Sequence, residues 1–196
     1  FEAALARAQA AEGLITAAQA ELVAEACAEP LDADDLAEQA AHAGTLAIPL
    51  VAALRARVAR RDPEAAATVH RGATSQDVAD TALMLQARGG LGLLRRDIAV
   101  LETALAELAG AHAATPMLAR TLLQPAAPTT FGLKAAQWRA GVLGAAQRLE
   151  QEAHAALALQ LGGAVGTLAG MDGRGAAVAV RMADALGLAA PIAPWH

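Results

Sequence analysis

The chain has 196 residues, enough to bury a sizeable core as one domain or two small ones. Roughly three residues in ten are alanine, tyrosine is absent and phenylalanine and tryptophan are scarce, which predicts an all-helical protein whose helices approach closely. The formal charge of −5, with no Lys/Arg run and no aromatic-basic interleaving, argues against nucleic acid as the main partner. The single cysteine, Cys27, excludes an intrachain disulfide and a thiolate metal site and fits a reducing cytoplasm.

In chain order, no secretory or transit signal opens the sequence. Phe1 already begins an amphipathic helix, so the chain is expected to start within a longer protein. Thr16-Ala17-Ala18-Gln19 is a capping-box pattern opening a helix through about Cys27, and Asp32 or Asp34 can open the next. Pro49, inside the apolar stretch Leu46 to Val58, either kinks that helix or starts a new one. Asp62-Pro63 is an N-cap followed by proline at the first helical position. These elements predict a small N-terminal helical domain over 1–75. Residues 76–196 read as part of a central bundle of long helices. Leu91, Leu94, Ile98, Leu101, Leu105 and Leu108 form one stripe, and Phe131, Ala135, Trp138, Val142, Ala145 and Leu149 form another. Gly89, Gly90 and Gly92 either interrupt the first of these helices or permit close packing. The uncharged run 155–171 holds Gln160 and four glycines, so it reads as a glycine-rich loop and not as a membrane span. A last helix is expected from Asp172 to Gly187, with Pro191 beyond it.

Two polar clusters carry the chemistry. Residues 70–82 place Thr74, Ser75, Gln76, Asp77, Asp80 and Thr81 at the start of a long helix, with Gly72 to turn the chain and Thr74 or Ser75 as N-cap. The cluster is either a well-capped helix or a carboxylate site, because the first free N–H groups of a helix point at any anion in front of them. Residues 120–134, from Arg120 to Lys134, form a second polar cluster at the start of another long helix.

These residues resemble a known family. Gly72-Ala73-Thr74-Ser75-Gln76-Asp77 with Asp80-Thr81-Ala82 is similar to the first motif of the fumarase/aspartase superfamily. Arg120 to Gly132 is similar to its second motif, and Gly162-Gly163-Ala164-Val165-Gly166-Thr167 to a third segment. The ending Pro194-Trp195-His196 resembles the 3-carboxy-cis,cis-muconate cycloisomerase branch. The resemblance implies a long-helix bundle, a homotetramer with active sites shared between subunits, and a small polycarboxylate substrate. It implies no cofactor and no metal. It also implies formation of a lactone when a carboxylate of the substrate adds across a conjugated double bond, in aromatic-compound catabolism by the beta-ketoadipate route. Negative charge then develops on the acceptor carboxylate and must meet preorganised donors.

By the same resemblance, Thr74, Ser75, Gln76, Thr121 and Gln124 are substrate-binding donors. Arg120 either binds substrate or braces its loop against a carboxylate. Lys134, the only lysine, either lies along a bundle helix or helps to hold a tricarboxylate. His70 is a candidate for carboxylate binding or proton transfer, and equally for a structural histidine. Two departures stand out. Leu122 occupies the position where adenylosuccinate lyase and fumarase carry histidine and the cycloisomerase branch often carries tryptophan. The serine-bearing mobile loop that supplies the family's general base does not occur in these residues, so the base is expected beyond His196 and the 196 residues alone are expected to be inactive. An adenylosuccinate- or argininosuccinate-type lyase, or a non-catalytic helical assembly module, are the alternatives.

Overall fold

The computed structural model describes residues 1–195, so His196, the last residue of the Pro-Trp-His ending, lies outside the described residues. The helices are α1 (Glu2–Ala11), α2 (Ala17–Ala28), α3 (Ala33–Ala43), α4 (Ala47–Ala59), α5 (Pro63–Ala66), α6 (Ser75–Ala111), α7 (Phe131–Ala156) and α8 (Gly175–Leu186). A hairpin of β1 (Pro116–Thr121) and β2 (Gln124–Thr130) stands between α6 and α7. The helical fold class therefore holds, with the hairpin as an addition.

Local chemistry explains most helix starts. Thr16 and Gln19 close a reciprocal capping box at α2. Asp32 accepts the N–H groups of Asp34 and Asp35 at α3, and Asp62 those of Glu64 and Ala65 at α5. Pro49 falls in the first turn of α4, where its missing N–H costs no helical bond, and the helix continues unbroken. Gly187 in the left-handed region ends α8. The start of α8 falls at Gly175 and not at Asp172, because Asp172 and Gly173 both have positive φ (49° and 75°) and close a separate turn after the 3-10 segment Ala169–Met171.

The chain forms two compact units. One comprises residues 1–87 with 157–196, the other residues 88–156. This division differs from a boundary at residue 75, and the first unit's packing gives the reason. Helix α1 buries two faces. Leu5 and Ala8 join Leu159, Leu161, Met171, Val178, Met182 and Leu188 in one core, while Ala6 joins Val23, Val51, Leu54, Val58 and Val69 in another. Residues 157–196 thus complete the N-terminal unit. Cys27 lies half-buried beside the second core, and burial, reinforced by the Glu2 carboxylate, pushes its thiol up from the ordinary value. We expect Cys27 to react with Ellman's reagent at about pH 8 at least about tenfold more slowly than a free thiol, because only the thiolate attacks. Reaction at the free-thiol rate would contradict this packing.

In the second unit the C-terminal part of α6 runs beside α7, linked by the ion pairs Arg95–Glu150 and Arg139–Glu102. The glycines at 89, 90 and 92 leave α6 unbroken. Of the two stripes only Leu91, Leu105 and Ala135 are buried, whereas Leu94, Leu101 and Trp138 are about half exposed (47%, 47% and 49%). Gly132 sets the entry to α7, since a Cβ there would lie 2.6 Å from the carbonyl oxygens of Ala109 and His112.

Candidate functional site

The start of α6 is built around Asp77, which has no exposed surface. Its Oδ2 accepts the N–H groups of Thr74 (2.9 Å) and Gly163 (3.0 Å), and its Oδ1 those of Gly162 (2.8 Å) and the Gln160 side chain (3.2 Å). One turn on, the Thr81 hydroxyl donates to the Gln160 carbonyl (3.0 Å) and accepts the Gln160 N–H (3.2 Å). Residues i and i+4 share a helix face, so Asp77 and Thr81 together fasten the glycine-rich segment along the first turns of α6. The approach is close. Gly163 has φ 73°, and a Cβ on it would lie 2.8 Å from the Gly72 carbonyl oxygen. Only glycine fits such a crossing.

That arrangement changes the meaning of the first motif. Helix α6 begins at Ser75, which puts Thr74 at the N-cap position. The observed cap bond, however, runs from the Thr74 N–H to the Asp77 carboxylate. Neither the Thr74 nor the Ser75 hydroxyl is bonded to protein among the described residues, so both are available to a ligand in front of the helix. Gln76 is partly committed, because its Nε2 donates to Asp80 Oδ1 (2.7 Å), and Asp80 Oδ2 accepts the Trp195 indole N–H (2.8 Å). The Trp195 backbone N–H donates to Gln160 Oε1 (3.1 Å), so the tail is tied to the same framework. His70 lies just before the motif with φ 61°, its Nδ1 2.7 Å from the buried Glu2 carboxylate.

The second cluster lies in the other unit. Arg120 pairs in register with Pro125 and Thr121 with Gln124, which makes Leu122-Leu123 a two-residue hairpin corner. Both leucines have positive φ (45° and 65°), the geometry of a type I′ turn, and both side chains are almost fully exposed. The long helix therefore starts at Phe131, within the last residues of the motif. Arg120 makes no ion pair among the described residues. Arg120 and Lys134 line one cavity of about 420 Å³ with Met117, Ala119, Thr129 and Gln137, while Thr121 and Gln124 stand exposed at the hairpin end. The Lys134 ammonium also lies 5.4 Å from the centre of the Trp138 ring, a cation–π distance that steadies it at the cavity wall.

Sequence alone does not assign the framework roles of Asp77, Asp80, Thr81 and Gln160, although the i, i+3, i+4 spacing of the first three is the signal that puts them on one helix face. Among the described residues no group of three or more His, Cys, Asp or Glu could hold a metal ion, and no helix is long and apolar enough to cross a membrane.

A family model described as "Lyase" matches residues 1–196. A 3-carboxy-cis,cis-muconate cycloisomerase of Bradyrhizobium diazoefficiens is 51% identical over all of this chain and 44% of its own length. A nitrosuccinate lyase of Streptomyces davaonensis is 45% identical over all of this chain and 43% of its own. The crystal structure of the 3-carboxy-cis,cis-muconate lactonizing enzyme from Pseudomonas putida superposes with a TM-score of 0.94 at 44% identity, covering 100% of this chain and 44% of that one. The chain thus spans less than half the length of the curated relatives it matches. Its motifs, helical fold and whole-length match together show that it belongs to the lyase family of the fumarase/aspartase superfamily.

Proposed function

We propose that the protein containing this chain is a 3-carboxy-cis,cis-muconate cycloisomerase. The observation that carries the reading is the pair of uncommitted hydroxyls, Thr74 and Ser75, on a helix start immobilised by the buried Asp77. The named substrate comes from the cycloisomerase relative. One carboxylate oxygen of the substrate bonds to a carbon of the conjugated system, the double bond's electrons move toward the acceptor carboxylate, and a proton then adds at the adjacent carbon. Thr74, Ser75, the remaining Gln76 N–H and the α6 N-terminus stabilise the charge on that carboxylate. Arg120, Thr121, Gln124 and Lys134 bind substrate carboxylates, Arg120 through its planar fork and Lys134 as a point charge. The family's serine-bearing loop does not occur in these residues, so the 196 residues alone are not expected to turn substrate over.

The half-exposed stripes of α6 and α7 support a homotetramer in which these faces meet other subunits and the active sites are shared. One half-buried free cysteine supports a cytoplasmic location. Leu122 also bears on the substrate. An apolar side chain cannot protonate an amine leaving group, which counts against an adenylosuccinate-type lyase, whereas a lactone opens to a carboxylate that is stable as an anion. The nitrosuccinate lyase relative favours a second reading, elimination from a substituted succinate.

Full-length protein should bleach the ultraviolet absorbance of 3-carboxy-cis,cis-muconate as ring closure removes conjugation. It should leave adenylosuccinate, argininosuccinate and nitrosuccinate intact, and light scattering should report a tetramer. Cleavage of nitrosuccinate without effect on the muconate would promote the second reading, and a stable monomer would overturn the assembly.

A further inference from the structure

Glu2 opens α1, and its side chain is only 4% exposed. One carboxylate oxygen lies 2.7 Å from His70 Nδ1, and the other, Oε2, has no hydrogen-bond partner among the described residues. Buried carboxylates are rare unless paired, so the imidazole is the polar group that justifies this one. The backbone around His70 is held just as firmly. The Val69 carbonyl accepts from the Arg55 guanidinium (3.1 and 3.3 Å), the Arg71 carbonyl accepts from the Gln9 side chain (2.7 Å), and the Arg71 guanidinium donates to the Leu14 carbonyl (2.7 Å). These contacts hold His70 at φ 61°, a conformation that costs a non-glycine residue about 1–3 kcal/mol and persists only where its surroundings over-determine it. A turn alone would accept glycine or asparagine at this position without a buried acid.

We propose that Glu2 is a positioning residue. It fixes His70 as the Nδ1–H tautomer and so leaves Nε2 as a hydrogen-bond acceptor on a residue that precedes Thr74 and Ser75 in the chain. The second ring nitrogen takes its role from the partner of the first. The tautomer assignment stands on the geometry of the Glu2–His70 pair, and its effect on turnover rests on the cycloisomerase reading.

Solid-state NMR of full-length protein carrying nitrogen-15 histidine reads the tautomer directly, with His70→Asn identifying the signals. In the parent, Nδ1 should be protonated and Nε2 bare when the ring is neutral. Glu2→Leu should move the proton to Nε2, the tautomer favoured without an acceptor, and should lower kcat on the muconate by about 10- to 100-fold with KM changed less than about twofold. Glu2→Gln keeps a carbonyl acceptor and should retain the parent tautomer and restore part of kcat. An Nε2–H tautomer in the parent, or no change of tautomer or kcat in Glu2→Leu, would overturn the proposal. If Glu2→Leu does not fold, the parent and Glu2→Gln spectra decide. Protein that shows the tautomer change but ignores the muconate overturns the cycloisomerase reading and leaves the hold of Glu2 on His70 standing.

Discussion

Asp77→Ala in the full-length protein should lower stability by about 3–5 kcal/mol, which for a unit of this size is a fall in Tm of roughly 6–20 °C. The carboxylate answers the N–H groups of Thr74, Gly162, Gly163 and the Gln160 side chain in a site closed to water. Each donor stranded there costs about 1–3 kcal/mol, and partial rehydration through the space left by the side chain keeps the total below the sum. Asp77→Asn is instructive beside it, because the amide keeps the volume but turns an NH2 toward donors that need an acceptor. It should recover little of the loss. Differential scanning calorimetry distinguishes the cases, and a Tm within about 2 °C of the parent for Asp77→Ala would show that the glycine-rich segment is held by something else.

The glycine-rich segment also shows where reading the sequence stopped. Local signals were legible because local chemistry settles them: the Thr16 capping box, the Asp32 and Asp62 caps, Pro49 in a first turn and Gly187 at a helix end all follow from neighbours within four residues. The partner of a buried face is not local. Nothing near Leu5 and Ala8 states that Leu159, Met171 and Met182 will cover them, so the sequence pattern groups this stretch with the bundle, whereas its residues from Leu159 to Leu188 complete the core around α1. The hairpin was hidden for a different reason. Its corner is Leu122-Leu123, residues that avoid the left-handed region, where Asn-Gly would have announced a type I′ turn. At the candidate site the family motifs named the hydroxyls and amides. Which of these groups bind ligand and which hold the scaffold depends on hydrogen bonds such as Gln76 to Asp80, Trp195 to Asp80 and His70 to Glu2, whose partners lie up to 115 residues away.

Ser75→Ala should show the opposite signature to Asp77→Ala. The Ser75 hydroxyl makes no hydrogen bond among the described residues, and alanine is the best helix former, so Tm and the circular dichroism spectrum should change little. On the proposed cycloisomerase reading, turnover of the muconate should fall by roughly 100-fold, the loss seen when one donor to a developing oxyanion is removed, because water cannot substitute for a donor fixed in advance at a helix start. On the same reading the deficit should appear in kcat and kcat/KM alike, since the charge that the hydroxyl would meet is fully developed only in the transition state. Ser75→Thr, which keeps the oxygen but adds a methyl group, should recover part of the rate. Thr74→Val tests the neighbouring hydroxyl with nearly unchanged volume and should act in the same direction. Parent-like kinetics in Ser75→Ala would reduce the first motif to a helix start, whereas a large fall in Tm together with activity would make Ser75 part of the scaffold that Asp77 governs.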